Sequence, residues 1–456
     1  MNSTKVFPSR HIEGASFHME IDNTTLADLT IFNAVEDISV FNKLNLCRTV
    51  GGREKLYDNF NNPQNSIEGI RGIQQTLQLI LQNLGSWPTE ISNGSVLMIE
   101  KFYQASIDDI PSTPSIVTAY SYKLFHRPDF SLVEYSVGHA FDFIKGIQLL
   151  IFHFLSDDTP APMRKILLSA KQIITSKQLN IIENNNKATD LTIVQQLQLG
   201  RFLRNHYKRN MLDLMDIYSQ LDAWYGMALA IKEYDLHFPE FINSSKPQLH
   251  ANGLYHLLLQ QPVSYDIILN PECNFQFLTG ANMAGKSTFI KSVGTAVFLA
   301  HLGMGVPAQQ MQLSLFDGIL SNINVTDNLV KGESYFYNEV QRIKSTVIKI
   351  SDGRKWLVLI DELFKGTNVE DAMKCSSTVI EGLLKISNSL FILSTHLYEI
   401  GEELKKYPNI SFNYFETAVK NDQLLFSYQL KKGISNDRLG YLILKNEGVV
   451  DMLEKL

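Results

Sequence analysis

The stretch Gly280-Ala-Asn-Met-Ala-Gly285-Lys286-Ser287 places two glycines, a lysine and a hydroxyl at the spacing G-x-x-x-x-G-K-[ST]. That spacing cradles a polyphosphate. Glycines let the backbone wrap an anion so that successive N–H groups point inward, and a helix starting there adds its positive end. Lys286 then reaches the β- and γ-phosphates, and the Ser287 hydroxyl is a ligand for Mg²⁺. Ala281, Asn282, Met283, Ala284 and Thr288 complete the binding loop. The apolar run Phe275 to Leu278 leads in, and a helix leads out with Phe289, Ile290, Val293, Val297 and Ala300 on one face.

Two further pieces carry matching chemistry. The apolar strand Trp356 to Ile360 ends in Asp361-Glu362. Asp361 is placed to hold Mg²⁺ and Glu362 to orient or deprotonate an attacking water. Another apolar strand ends in Ser394-Thr-His396, where His396 is placed to sense the γ-phosphate. Alone, paired acids read equally well as solvated surface, and a lone histidine as an ordinary core or surface group. Beside the phosphate loop they read as one site binding ATP with Mg²⁺.

These residues need a sheet to gather them. Beyond Phe238-Pro239-Glu240 the chain alternates short apolar runs (274–279, 356–360, 390–395, 424–430) with helical stretches, which predicts a largely parallel sheet. Before that point the pattern is helical. Residues 67–84 have helical spacing, and Leu203, Tyr207, Met211, Leu214, Tyr218, Leu221, Trp224 and Met227 recur at steps of three and four. The polar break Glu183 to Lys187 reads as the tip between two long helices. The expected class is therefore α plus α/β: a long-helix core and lever domain over residues 1–240, then an ATPase domain over 241–456.

Composition narrows the setting. A hydrophobic share of 45% against 19% charged residues gives a chain that folds, and a formal net charge of −6 argues against a strongly basic nucleic-acid binder. Cys47, Cys273 and Cys375 are far apart, so neither a disulfide framework nor a structural zinc site is expected. The run Phe141 to Leu155 is too short and too polar to span a bilayer, and residues 1–9 have no apolar signal core. A cytoplasmic location fits.

The order of phosphate loop, Asp-Glu and post-strand histidine resembles that of ABC-type ATPases, which implies a dimer hydrolysing ATP between two facing domains. The match sharpens to the MutS family. Thr279 to Thr288 resembles its loop TGPNMGGKST, with Asn282-Met283 as a family mark. Gly303 to Ala308 resembles G-x-x-VPA, Asp361 to Thr367 resembles DELGRGT, and Ser394 to His396 resembles its STH switch. Residues 327–336 resemble the loop that presents a serine, here Ser334, to the partner subunit's nucleotide, and Glu339 matches the acid that follows. Leu430 to Ser435 and Gly440 resemble the closing pattern, before a C-terminal helical dimerisation segment. In the first half, residues 21–32, Ser39-Val-Phe41 and Thr49 to Leu56 resemble the opening of the helical core.

The resemblance implies Glu362, His396 and Asn282 as catalytic residues, a homodimer with composite ATP sites, and DNA as a partner. It also implies Tyr428 as one stacking face for the adenine, with Pro262 where relatives carry an aromatic. Ala281 and Ala284 replace a proline and a glycine, and Lys365 stands where the family often has arginine. The family's wedge and connector domains have no counterpart in this sequence, and the interval at Asn184 to Asn186 is too short for a full DNA clamp. Arg201, Arg204, Lys208 and Arg209 share a helical segment and read either as phosphate contacts or as a solvated face. Three functions stay open: a DNA-associated ATPase, a motor acting on a ribosome or protein, and a nucleotide switch with negligible turnover.

Overall fold

A computed structural model describes residues 18–33, 38–323, 335–420, 423–435 and 448–453. The first half is a short strand, β1 (Glu20–Ile21), followed by helices α1 (Asn23–Asp28), α2 (Val40–Leu44), α3 (Val50–Asn61), α4 (Ile67–Gln82), α5 (Asn93–Gln104), α6 (Ile116–Phe125), α7 (Arg127–Phe154), α8 (Ala161–Ile174), α9 (Asn180–Glu183), α10 (Ile193–Asn205) and α11 (Lys208–Glu233). The second half holds β2 (Glu240–Ile242), β3 (Leu249–Leu254), β4 (Tyr265–Leu269), β5 (Phe275–Thr279), α12 (Lys286–His301), β6 (Gln310–Ser314), β7 (Gly318–Asn322) and α13 (Tyr335–Ile350). It continues with β8 (Trp356–Asp361), α14 (Val369–Leu383), β9 (Ser389–Ser394), α15 (Tyr398–Leu404), β10 (Ile410–Lys420), β11 (Gln423–Lys432) and α16 (Val449–Leu453).

Seven strands form the main sheet in the order β1-β7-β8-β9-β5-β10-β11, parallel throughout except the β10–β11 hairpin at one edge. Every residue of β5, β8 and β9 is buried, as expected of strands covered on both faces. A four-stranded sheet, β2-β6-β3-β4, flanks it. Helix α12 lies between the main sheet and the helical half. Gly294 makes that fit possible, because a Cβ there would meet Leu29 from the helical half and Leu359 from β8, each at 2.6 Å.

The two halves interlock at the opposite edge of the sheet. β1 pairs with β7 in parallel. Behind it, the Thr25 hydroxyl accepts the Ser321 N–H at 2.9 Å, and Asp28, 2% exposed, accepts from Ser321 Oγ at 2.5 Å and the Ile323 N–H at 3.0 Å. Residues 18–31 thus complete a sheet whose other strands all lie beyond residue 317 or at β5.

The helical half differs from expectation in detail. The run from Leu203 to Met227 is not one helix: α10 ends at a cap on His206 and α11 starts at Lys208. The break at Glu183 to Lys187 joins no long helices, since α8 has 14 residues and α10 has 13. A capping box on Thr192 and Gln195 restarts the chain there. The long helices are α7, with 28 residues, and α11, with 26. Among the described residues no helix is long and apolar enough to cross a membrane.

Candidate nucleotide site

Three adjacent strands deliver the site. β8, β9 and β5 are neighbours and parallel, so their C-terminal ends lie together, with Asp361 in register with Ser394 and Ser394 with Leu278. Ligands of open α/β sheets bind in that position.

From β5 the chain turns through residues 280–285 into α12. Left-handed steps fall on Gly280 (φ 140°), Met283 (φ 68°) and Gly285 (φ 110°). Neither Ala281 nor Ala284 is among the positive-φ residues, so replacing the family's proline and glycine there brings no left-handed strain. Lys286, 5% exposed, donates to the carbonyls of Gly280 at 2.8 Å and Ala281 at 2.9 Å, and its Nζ lies 3.4 Å from His396 Nε2. Burial pulls its pKa down to about 8 against the upward pull of Glu362 and Asp361.

Ser287 Oγ donates to Asp361 Oδ2 at 2.5 Å, and Ser394 Oγ donates to the other oxygen of the same carboxylate. Ser287 and Asp361 therefore present two hard oxygen donors side by side, the type Mg²⁺ prefers. Glu362 follows with φ 62°, its N–H bonded to the Ser394 carbonyl at 2.9 Å. Its Oε1 lies 2.5 Å from His396 Nε2 and its Oε2 lies 3.1 Å from Lys365 Nζ. Burial alone would raise the Glu362 pKa. The contacts with His396 and Lys365 outweigh it and hold the carboxyl down at about 2, ionised at any physiological pH.

A cavity of about 460 Å³ opens beside these groups, a volume suited to a nucleotide-sized ligand. Asn282, Met283, Lys286, Ser287, Thr288 and Glu362 line it on the side of the 280–285 loop. Tyr428 lines one wall, with its ring 3.4 Å from where a Gly285 Cβ would stand. Leu259, Gln261, Val263 and Tyr265 form the rest. Those four carried no signal in the sequence, because an apolar loop and a strand tyrosine look like any others. Pro262 is not among the residues lining the cavity, though its neighbours Gln261 and Val263 are, and Tyr265 is the other aromatic there beside Tyr428. Ser334 and Gly440 lie outside the described residues.

Three members of the basic stripe make contacts within the chain. Arg201 bonds to the Ile110 carbonyl and pairs with Asp109 at 3.2 Å. Arg204 bonds to the carbonyls of Phe102 and, at 2.6 Å, Ala105. Both guanidiniums tie α10 to the end of α5 and the loop after it, and Lys208 lies 5.6 Å over the Tyr103 ring. Both guanidiniums thus spend donors within the chain.

Phosphate loop, Asp-Glu strand end and post-strand histidine on a largely parallel sheet define an ATPase-type domain of the ABC kind. The family model of MutS domain V matches residues 276–452. Over 230 residues the chain is 29% identical to the DNA mismatch repair protein spellchecker 1 of Drosophila melanogaster, covering 49% of this chain and 25% of that protein. It is 28% identical to the DNA mismatch repair protein MutS of Thermotoga maritima over 54% of this chain and 31% of the relative. It is 27% identical to that of Staphylococcus haemolyticus over 63% and 33%. Over residues 276–452 the chain is thus similar to domain V of the MutS family. The matched region spans a quarter to a third of the length of these relatives.

Proposed function

We propose that the chain binds ATP with Mg²⁺ and hydrolyses it, working as a homodimer whose closure moves the helical half on DNA. The observation that carries this is the meeting of Lys286, Ser287, Asp361, Glu362 and His396 at the ends of three adjacent strands, within direct contact of one another. In this reading the loop amides and Lys286 hold the β- and γ-phosphates, while Ser287 and Asp361 hold Mg²⁺, which neutralises charge developing on the phosphates. Glu362, ionised, accepts a proton of the attacking water and orients it. His396 bridges Glu362 and Lys286 and registers the γ-phosphate. Asn282 lines the same end, Tyr428 offers a stacking face to the base, and Ser334 completes the partner's site.

Glu362→Gln tests this: nucleotide binding persists while turnover falls by roughly 10²-fold or more. Undiminished turnover removes Glu362 from the chemistry. Turnover absent from the wild-type chain itself leaves the nucleotide switch.

DNA is a partner of the named relatives by their description as mismatch repair proteins. The net charge of −6 and the internal use of Arg201 and Arg204 favour a second reading, a protein or ribosomal partner. Duplex, mismatched and four-way DNA, titrated with and without ATP at several salt concentrations, separate the two. Affinity that falls steeply with salt supports DNA, and no binding at low salt supports the other partner.

A further inference from the structure

Glu362 and Phe364 are both in left-handed conformation, at φ 62° and 59°. Such a turn of non-glycine residues is unfavourable and persists only where its surroundings hold it. The hold comes from α13. Glu339, 3% exposed, turns its carboxylate onto the turn and accepts the N–H of Lys365 at 3.1 Å and of Gly366 at 3.3 Å. The turn so fixed brings Lys365 Nζ to Glu362 Oε2, the carboxylate oxygen that His396 does not hold. Neither Glu339 nor Lys365 lines the nucleotide cavity.

We propose that Glu339 and Lys365 are positioning residues that fix the aim of Glu362, Glu339 through the backbone of the turn and Lys365 through its ammonium. The inference rests on Glu362 being the residue that orients water. It assigns a use to two residues that sit outside the phosphate site. A carboxylate held at one oxygen only can swing about its side-chain torsions, and held at both it cannot.

Steady-state ATP turnover by the full chain tests it. Lys365→Ala is expected to lower kcat by roughly tenfold to a hundredfold with KM nearly unchanged, because misaim costs the transition state and leaves ground-state binding alone. Lys365→Arg is expected to restore most of the rate. Glu339→Gln, which keeps one acceptor oxygen, is expected to fall in the same direction. Because both residues act through one link, the double variant Glu339→Gln/Lys365→Ala is expected to be little slower than the slower single one.

Wild-type kcat in Lys365→Ala, a raised kcat, a KM rising in step with the loss, or rate losses that multiply in the double variant would each overturn the proposal. Lys365 is partly exposed, so its variants keep the test informative even where Glu339→Gln folds poorly. Glu362→Gln measured alongside separates the failures. If it still turns over, the reading of Glu362 falls; if it is dead while Lys365→Ala is normal, only the positioning inference falls.

Discussion

Gly285 and Met283 sit two residues apart in the same loop with left-handed backbones, yet they answer differently to substitution. At φ 110° Gly285 occupies a region L-residues rarely enter, so Gly285→Ala forces the loop open, at a cost of roughly 1–2 kcal/mol. Met283 at φ 68° lies in the milder left-handed well. Met283→Gly relieves that strain but loosens the unfolded chain by a similar amount. Calorimetric titration with ATP is expected to show strongly weakened binding for Gly285→Ala and near-wild-type binding and Tm for Met283→Gly. Lys286, Ser287, Asp361 and His396 were legible in the sequence because their chemistry demands fixed types at fixed local spacing. The grip of Glu339 on the turn at 365–366 was not, since it is made to backbone N–H groups, which leave no trace in residue type.

At the scale of elements, the best-read pieces were β5, β8 and β9, whose continuous apolar runs end where the polar site begins. The boundaries of the helices were less legible. Stripe spacing continues across His206 because buried positions on α10 and α11 happen to keep phase, and only the cap reveals the break. The pinning of α1 to α13 was invisible for another reason: it joins segments more than 300 positions apart. Asp22 caps α1 through the Thr25 N–H at 2.8 Å and pairs with Arg342 at 3.0 Å. Burial raises its pKa, but Arg342 and Thr25 more than compensate and hold it below 3.8. A depressed carboxylate contributes stability above its unfolded pKa and loses it as pH falls through the folded one. Denaturant titration is expected to find Asp22→Ala less stable than Asp22→Asn by roughly 1 kcal/mol, since asparagine still caps. The smaller advantage of wild type over Asp22→Asn, about 1 kcal/mol for a part-buried pair still open to solvent, is expected to hold at neutral pH and fade below the usual aspartate range.

For the whole molecule, a division near residue 240 describes the change in texture but not a place to cut. A fragment of residues 241–456 lacks β1 and Asp28, leaving the edge of β7 bare and the Ser321 and Ile323 amides without their partners. Such an edge is a template for aggregation. Light scattering of that fragment is expected to show association, and adding residues 1–33 in trans is expected to reduce it. A soluble, monomeric fragment would show that the interlock is dispensable. The buried apolar cluster points the same way, running from Leu29 and Phe60 through Phe298 to Phe415 without interruption.

That interlock also sets a timetable for the ribosome. Thr25 must wait for Ser321, 296 positions later, so at the usual pace of synthesis its partner emerges about 15–60 s afterwards. Throughout that delay β1 lacks its strand partner, although residues 18 and 19 can already bond to residues 64 and 63, and a growing chain with such a waiting strand profits from a chaperone near its first thirty residues.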